Sequence, residues 1–335
     1  MPDRDAIRNR LLALIAVLLV VAGLKWSAPF SMPVAVAIFI VASAWPIKAR
    51  LDKALPAPLS TIGTVLALLL ILAAFVGAIY VSAVQAVAAF TRNQDRFHAL
   101  YQGATSWLQD RGISGLGELW DRLVALAGTI IPTVYAGLGY LLLIAVLVIL
   151  GLPEAPALRR KLHGRLDRED RQELIEAVER IAENFRQYIG LTTLTSLITG
   201  ASCALWAFVM GLDLTLVWGV LNFVLNYIPV IGNIVGILPP TLYAMIQFES
   251  RTATIVTFLG FAAIQFVISN FVYPMLQGRG LSLSPAAIIV ALAFWSWVWG
   301  LAGALIAVPM TAAVVIACRH FRSTGWVSDL LSGRD

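Results

Sequence analysis

The chain is poor in charge and in reactive side chains. Of its 335 residues only 13% are Asp, Glu, Lys or Arg, against 59% hydrophobic, and the mean hydropathy is +0.84. A sequence this apolar and this long does not make a water-soluble domain. Its two cysteines, Cys203 and Cys318, sit inside apolar runs without the spacing that a disulfide framework or a zinc site needs. Both read as packing residues. The three histidines, His98, His163 and His320, are scattered outside the apolar runs. A G-x-x-x-x-G-K-[ST] loop is absent, which argues against an ATP-driven pump. No convergent acid, base and metal ligands support an enzyme. Carboxylates are missing from the interior of every apolar run, and Asp213 and Glu249 fall at segment ends. That weighs against a simple proton or sodium relay. No cofactor, metal or nucleic-acid partner is expected; the lipid bilayer is.

What the chain does have is long apolar runs, beginning near Leu11, Met32, Leu59, Ile131, Tyr188, Leu214, Thr252 and Ser284. Each approaches the roughly 20 residues that span a bilayer core. The expected fold is therefore an all-α membrane protein of about eight hydrophobic elements. The run from Leu11 to Leu24 follows Arg4, Arg8 and Arg10 but lacks a small-residue cleavage site, so it reads as an uncleaved first span.

Lys and Arg set the orientation. Lys48, Arg50 and Lys53 follow the second run, eight basic residues from Arg159 to Arg186 separate the fourth and fifth, and Arg319 and Arg322 follow the last. The segment Thr91 to Thr129 holds only Arg92, Arg96, Arg111 and Arg122. These clusters fit a topology with both termini in the cytoplasm and that segment outside.

The chain divides into N-terminal spans (1–90), an extracytoplasmic amphipathic segment (91–130), a span (131–152), a cytoplasmic charged helix (153–187), a transport core (188–318) and a cytoplasmic tail (319–335). In 91–130, Phe97, Leu100, Trp107, Leu108, Leu116, Leu119, Trp120 and Leu123 recur three or four apart, as on amphipathic helices at an interface. In the charged helix, Leu174, Val178, Ile181, Phe185 and Ile189 make one apolar stripe, Asp167 and Asp170 resemble a cap, and Glu176 pairs with Arg180 at i, i+4. The remaining charges read as a solvated face.

Two segments in the core, 214–247 and 284–318, are the longest and are broken. The stretch NYIPVIGNIVGILPP, Asn226 to Pro240, carries Pro229, Gly232, Gly236, Pro239 and Pro240. A straight helix over 214–247 would reach roughly 51 Å, against about 30 Å of hydrocarbon. Prolines that remove donors and clash with the preceding turn place the breaks between Ile228 and Gly236. The second segment echoes the first: both open on GL-x-L, at Gly211 and Gly280, both carry mid-segment glycines (Gly300 and Gly303 in the second), and both have a proline 29 residues on, Pro240 and Pro309. That spacing reads as an internal duplication. Two geometries fit. Each segment either crosses once with a kink, or is a re-entrant hairpin, which makes the repeats inverted; the Lys/Arg rule does not separate them.

The polar side chains of this core are neutral: Asn222, Asn226, Tyr227 and Asn233 in the first segment, with Gln265, Ser269, Asn270, Tyr273 and Gln277 in the next span, which ends at Pro274 and beyond. Buried amides and hydroxyls need partners. One reading makes them, together with Pro229, Gly232, Gly236, Pro240, Pro274, Gly300, Gly303 and Pro309, the path of a small polar solute. The plainer reading makes them hydrogen-bonded joints between helices.

These residues also carry a resemblance. The IPxIG core (Ile228 to Gly232) with Pro239 and Pro240, the P-x-x-x-GR-x-LSLSP element (Pro274 to Pro285), WGLAGALIAVP (Trp299 to Pro309) and AWPIKARLD after the second run are similar to the autoinducer-2 exporter family, or PerM-like permeases. The chain departs from the family pattern at Val230, Asn233 and Met275. The resemblance implies a secondary transporter that exports small polar molecules, such as an autoinducer-2-like signal or a related metabolite, as a homo-oligomer, with a pentamer expected. It also implies a rival, a cation/proton antiporter, and the broken helices with their polar side chains allow another of the same fold, a passive oligomeric channel.

Overall fold

The structure, a computed structural model, describes residues 4–111, 117–165, 168–229, 231–248, 250–277 and 284–320. The described residues are helical, with no strand among them. Helices are what an apolar chain must form where water cannot satisfy its backbone. Among the described residues seven helices are long and apolar enough to cross a membrane: Ala28–Leu51, Pro58–Arg92, Ala136–Glu154, Ile175–Val209, Ile231–Phe248, Arg251–Leu276 and Ala286–Cys318. Two shorter apolar helices, Leu11–Trp26 and Thr215–Leu225, accompany them. The protein is an all-α, multi-pass membrane protein. It forms two compact units, one of Met1–Val65, Tyr140–Tyr188 and Gly280–Asp335, the other of Leu66–Gly139 and Ile189–Arg279.

In the first unit, α1 (Arg4–Trp26) and α2 (Ala28–Leu51) join at Ser27, whose hydroxyl donates to the Gly23 carbonyl at 2.7 Å. Proline in the first turn of α2 removes a donor that has no intrahelical partner anyway. At the far end of α2, buried Lys48 pairs with Asp52 at 2.9 Å, and the Ser60 hydroxyl, at the start of α3 (Ala57–Arg92), donates to the same carboxylate. Those bonds, Ser60 first and Lys48 second, hold the Asp52 carboxyl below its usual value of 3.8. Arg186, on the charged half of α6 (Arg168–Val209), donates to the Ala42 carbonyl at 3.2 Å, and Phe185 stacks on Phe39 with centroids 4.1 Å apart.

The expected stripe on this helix holds at Phe185, which is buried, but Val178 is 53% exposed. The Glu176–Arg180 pair forms at 3.5 Å between exposed side chains, so it contributes little. Asp167 and the side chains of Leu174, Trp107 and Trp120 lie outside the described residues. The helices between are α4 (Gln94–Gln109) and α5 (Gly117–Arg165).

The helix α12 (Pro285–His320) in the same unit is two limbs. Trp299 and Gly300 leave helical geometry, and Gly300, at φ 62° and ψ −143°, occupies a region that only glycine enters cheaply. The limbs fold back on each other: Trp295 Nε1 donates to the Thr311 hydroxyl at 3.0 Å across 16 residues, which a straight helix would hold roughly 24 Å apart. A Cβ on Gly303 would meet the Trp295 carbonyl at 1.9 Å.

The second unit holds the other broken segment. It is three helices, α7 (Thr215–Leu225), α8 (Ile231–Val235) and α9 (Leu238–Phe248), parted at Asn226–Pro229 and at Gly236–Ile237. The expected breaks between Ile228 and Gly236 are there. The chain doubles back on itself. A Cβ on Gly232 would lie 1.8 Å from the Leu225 carbonyl, and one on Gly236 would lie 2.3 Å from Asn222 Oδ1. Further along, the Trp218 and Tyr243 rings meet at 5.6 Å. At the open end Gln247 accepts from the Asp213 N–H at 2.8 Å and donates to the Gly211 carbonyl at 2.7 Å. The two ends of segment 214–247 thus lie side by side. The core of this unit gathers Leu212, Val217, Trp218, Tyr243, Ala244 and Phe261 around Cys203, which is fully buried as a packing residue.

Candidate functional site

Neutral polar groups meet in the second unit where α7 ends and the chain turns. Asn222 is 1% exposed and Gln265, on α10 (Arg251–Val267), is 4% exposed. Gln265 Nε2 donates to Asn222 Oδ1 at 2.7 Å, and Asn222 Nδ2 donates to the Trp218 carbonyl at 2.9 Å. The remaining Gln265 oxygen is buried with no partner among the described residues. One helical turn on, Asn226 Nδ2 donates to the Ser196 hydroxyl at 3.0 Å and reaches Thr195 at 3.3 Å. The Tyr227 hydroxyl bonds that of Thr193 at 2.8 Å.

The stripe on α6 that receives Asn226 is hidden in the sequence by the apolar run around it. Thr192, Thr195, Ser196 and Thr199 follow the i, i+3, i+4, i+7 spacing of one helix face, and all four are buried. Taken singly each looks innocuous. Thr195 and Thr199 satisfy their hydroxyls on carbonyls of their own helix, Thr199 on Thr195 O at 2.8 Å. The periodicity within TTLTSLIT was the available signal.

The glycines of the hairpin bring the polar groups together. Gly236 lets the returning limb lie against the Asn222 amide, and Gly232 lets it turn against Leu225 O. Pro229 and Pro240 flank these contacts, Pro240 fully buried. Asn233 Nδ2 donates to the Ser269 hydroxyl at 2.6 Å. Ser269 belongs to a π turn, Ile268–Val272, between α10 and α11 (Tyr273–Gln277). Such turns widen a helix and recur at functional sites. Tyr273 opens α11, followed by exposed Pro274.

Not every expected residue joins this seam. Asn270 is exposed and donates to Phe266 O of its own helix at 2.9 Å. The side chain of Gln277 lies outside the described residues. Gly300, Gly303 and Pro309 belong to the first unit, where they shape the turn and limbs of α12.

Among the described residues the seam holds amides and hydroxyls, with the phenols of Tyr227 and of Tyr273, which meets Thr192, as its ionisable groups. Among the described residues no group of three His, Cys, Asp or Glu side chains could hold a metal ion. Its chemistry is hydrogen bonding to neutral polar atoms in a low-dielectric setting, where each bond made or lost counts for more than in water.

The AI-2E family transporter model matches residues 14–323. The chain belongs to the AI-2E transporter family. Among AI-2E relatives, the AI-2 transport protein TqsA of Escherichia coli K12 is 33% identical over 196 residues, 58% of this chain and 55% of TqsA. The chain therefore matches only about half of TqsA's length. A Haemophilus influenzae protein described as a candidate transport protein is 26% identical over 346 aligned positions, 97% of this chain and 96% of the relative. The E. coli protein YhhT, also described as a candidate transport protein, is 32% identical over 142 residues, 42% of this chain and 40% of YhhT. Membership of the AI-2E family gives the chain a role in membrane transport.

Proposed function

We propose that the chain is a secondary transporter that exports small, neutral, polar molecules of the AI-2 kind across the cytoplasmic membrane, with the seam at Asn222, Asn226, Tyr227 and Gln265 on the solute's path. The single observation that carries this reading is the folded-back α7–α9 segment, whose turn presents a cluster of neutral polar groups to a Thr/Ser stripe. Interrupted helices that line a cavity are how many transporters build a site at the bilayer midplane. A hydroxyl-rich furanone-like solute exchanges its water hydrogen bonds for those of Asn226, Ser196 and Tyr227, and no charge has to be desolvated. The orphan Gln265 oxygen offers one further acceptor.

On this reading α7–α9 and α12 are re-entrant hairpins of an inverted repeat, and the working form is a homo-oligomer, a pentamer, with both termini in the cytoplasm. The relative TqsA, named for AI-2 transport, supports the choice of solute. The test is flux of AI-2 and of small polyols into proteoliposomes, with and without a pH or sodium gradient. Saturable flux in the wild type that falls at least tenfold in Asn226→Leu is expected. Ohmic single-channel currents, or unchanged flux in that variant, overturn the proposal.

A further inference from the structure

A second polar site lies at the other end of the same hairpin. A cavity of about 480 Å³ is lined by Gln85, Arg92 and Asn93, at the end of α3 and just beyond it, and by Asp213, Thr215 and Tyr243 from the hairpin's base. It stands a helix length from the seam: α7 separates Asp213 from Asn226 and is 11 residues long, roughly 16 Å. The volume falls in the range of small-molecule sites.

The charges in this cavity set it apart from the seam. Arg92 and Asp213 line it together yet make no ion pair with each other or with any other described residue. Both are exposed, so the cavity offers side chains of opposite sign to whatever enters. The Asp213 backbone is held at both of its polar groups: its N–H donates to Gln247 at 2.8 Å and its carbonyl accepts from Trp218 Nε1 at 2.7 Å, while Gln247 also donates to the carbonyl of Gly211, two residues earlier, at 2.7 Å. Leu214, also lining the cavity, takes a left-handed conformation at φ 62°, which a branched side chain adopts only when its surroundings impose it. The carboxylate is thus mounted on a fixed loop, with its oxygens uncommitted. Preorganisation of this kind belongs to binding sites.

We infer that this cavity binds small zwitterionic solutes, with the ligand's carboxylate on the Arg92 guanidinium and its ammonium on the Asp213 carboxylate. Gln85, Asn93, Thr215 and Tyr243 supply neutral hydrogen bonds around the ligand's middle. A ligand of a single charge leaves one protein charge unanswered, whereas a zwitterion answers both through charge-assisted bonds. A ligand held between Arg92 and Asp213 also ties the end of α3 to the base of the hairpin.

The test uses the purified full-length chain in detergent, where no transport step intervenes, so the result is independent of the role given to the seam. Glycine, β-alanine and 4-aminobutyrate serve as a ruler for the distance between the charges, with butyrate and butylammonium as singly charged analogues, read by calorimetric titration. One of the zwitterions is expected to bind saturably, at least about tenfold more tightly than either analogue. Arg92→Gln and Asp213→Asn are each expected to weaken that binding about tenfold or more, and Arg92→Lys to retain it to within a few-fold. Absence of saturable binding by all three zwitterions overturns the inference. So does equal binding of the singly charged analogues, or binding unchanged by either neutralising substitution in protein that elutes as a single folded species.

Discussion

The α7–α9 hairpin and the two limbs of α12 both reverse direction beside a glycine pressed on a backbone carbonyl, Gly232 on Leu225 and Gly303 on Trp295. Their chemistry at the turn differs. The first is cut into three helices and places Asn222, Asn226, Tyr227 and Asn233 around its turn, bonded to Gln265, the α6 stripe and Ser269. The second turns on one left-handed glycine and joins its limbs through the Trp295–Thr311 bond, with Trp299 beside Trp295 on the same limb, ring centroids 5.1 Å apart. A shared shape is thus filled with hydrogen-bonding groups in one case and with packed aromatics in the other. The comparison teaches that the fold-back is architecture, and that the solute's path is to be sought where the fold-back is wet with polar atoms.

The largest effect is expected from the turns themselves. Gly232→Ala and Gly303→Ala each drive a methyl into a backbone carbonyl, so both should lose folded protein or unfold roughly 3 kcal/mol more easily, the upper end of the usual cost of overpacking. Size-exclusion yield and thermal unfolding in detergent check this; normal yield of either variant would break the claim that both turns depend on close approach.

Next comes Asn222→Ala, which strands the Gln265 amide in the interior. It should cost about 1–3 kcal/mol of stability and at least tenfold in flux. Its counterpart in the second hairpin, Thr311→Val, strands the buried Trp295 N–H and should cost a similar amount, about 1–3 kcal/mol of stability. Flux in Thr311→Val should stay within about twofold of wild type, as expected of a bond that no solute touches. Equal losses of flux in the two variants would erase the functional difference between the hairpins.

The smallest effect concerns the Lys48–Asp52–Ser60 clasp in the unit that holds α12. Because the Asp52 carboxyl titrates below its usual value, the clasp stabilises the fold fully at neutral pH and loses its effect as pH falls through the lowered pKa. The gap in unfolding temperature between wild type and Asp52→Asn should therefore be constant from neutral pH down to mildly acidic pH and shrink only in stronger acid. A gap that closes near neutrality would contradict the stated cause.

Much of this was legible in residues whose effect is local. Prolines 229, 239 and 240 and glycines 232 and 236 announced the breaks, because a missing donor or a missing Cβ acts on its own turn. The matched spacing to Gly300, Gly303 and Pro309 announced a second interruption. What the sequence left open was the direction of the chain after each break. That direction hangs on Gln247 meeting Asp213 and Gly211, and on Trp295 meeting Thr311, contacts between residues 16 to 36 apart. The Thr/Ser stripe of α6 was overlooked because hydroxyls that bond their own helix pass for ordinary span residues. Asn270 was grouped with the path on composition, yet its side chain is exposed and bonded to its own helix.

The central claim, that the turn of α7–α9 lies on a solute path and the turn of α12 does not, is tested most directly by thiol accessibility in proteoliposomes. Cysteine at position 226 (Asn226→Cys) and at position 311 (Thr311→Cys) are compared for their rate of modification by a small, water-soluble methanethiosulfonate. The account predicts modification at 226 at least about tenfold faster than at 311, slowed by saturating AI-2. Equal rates at the two positions, or faster modification at 311, would contradict it.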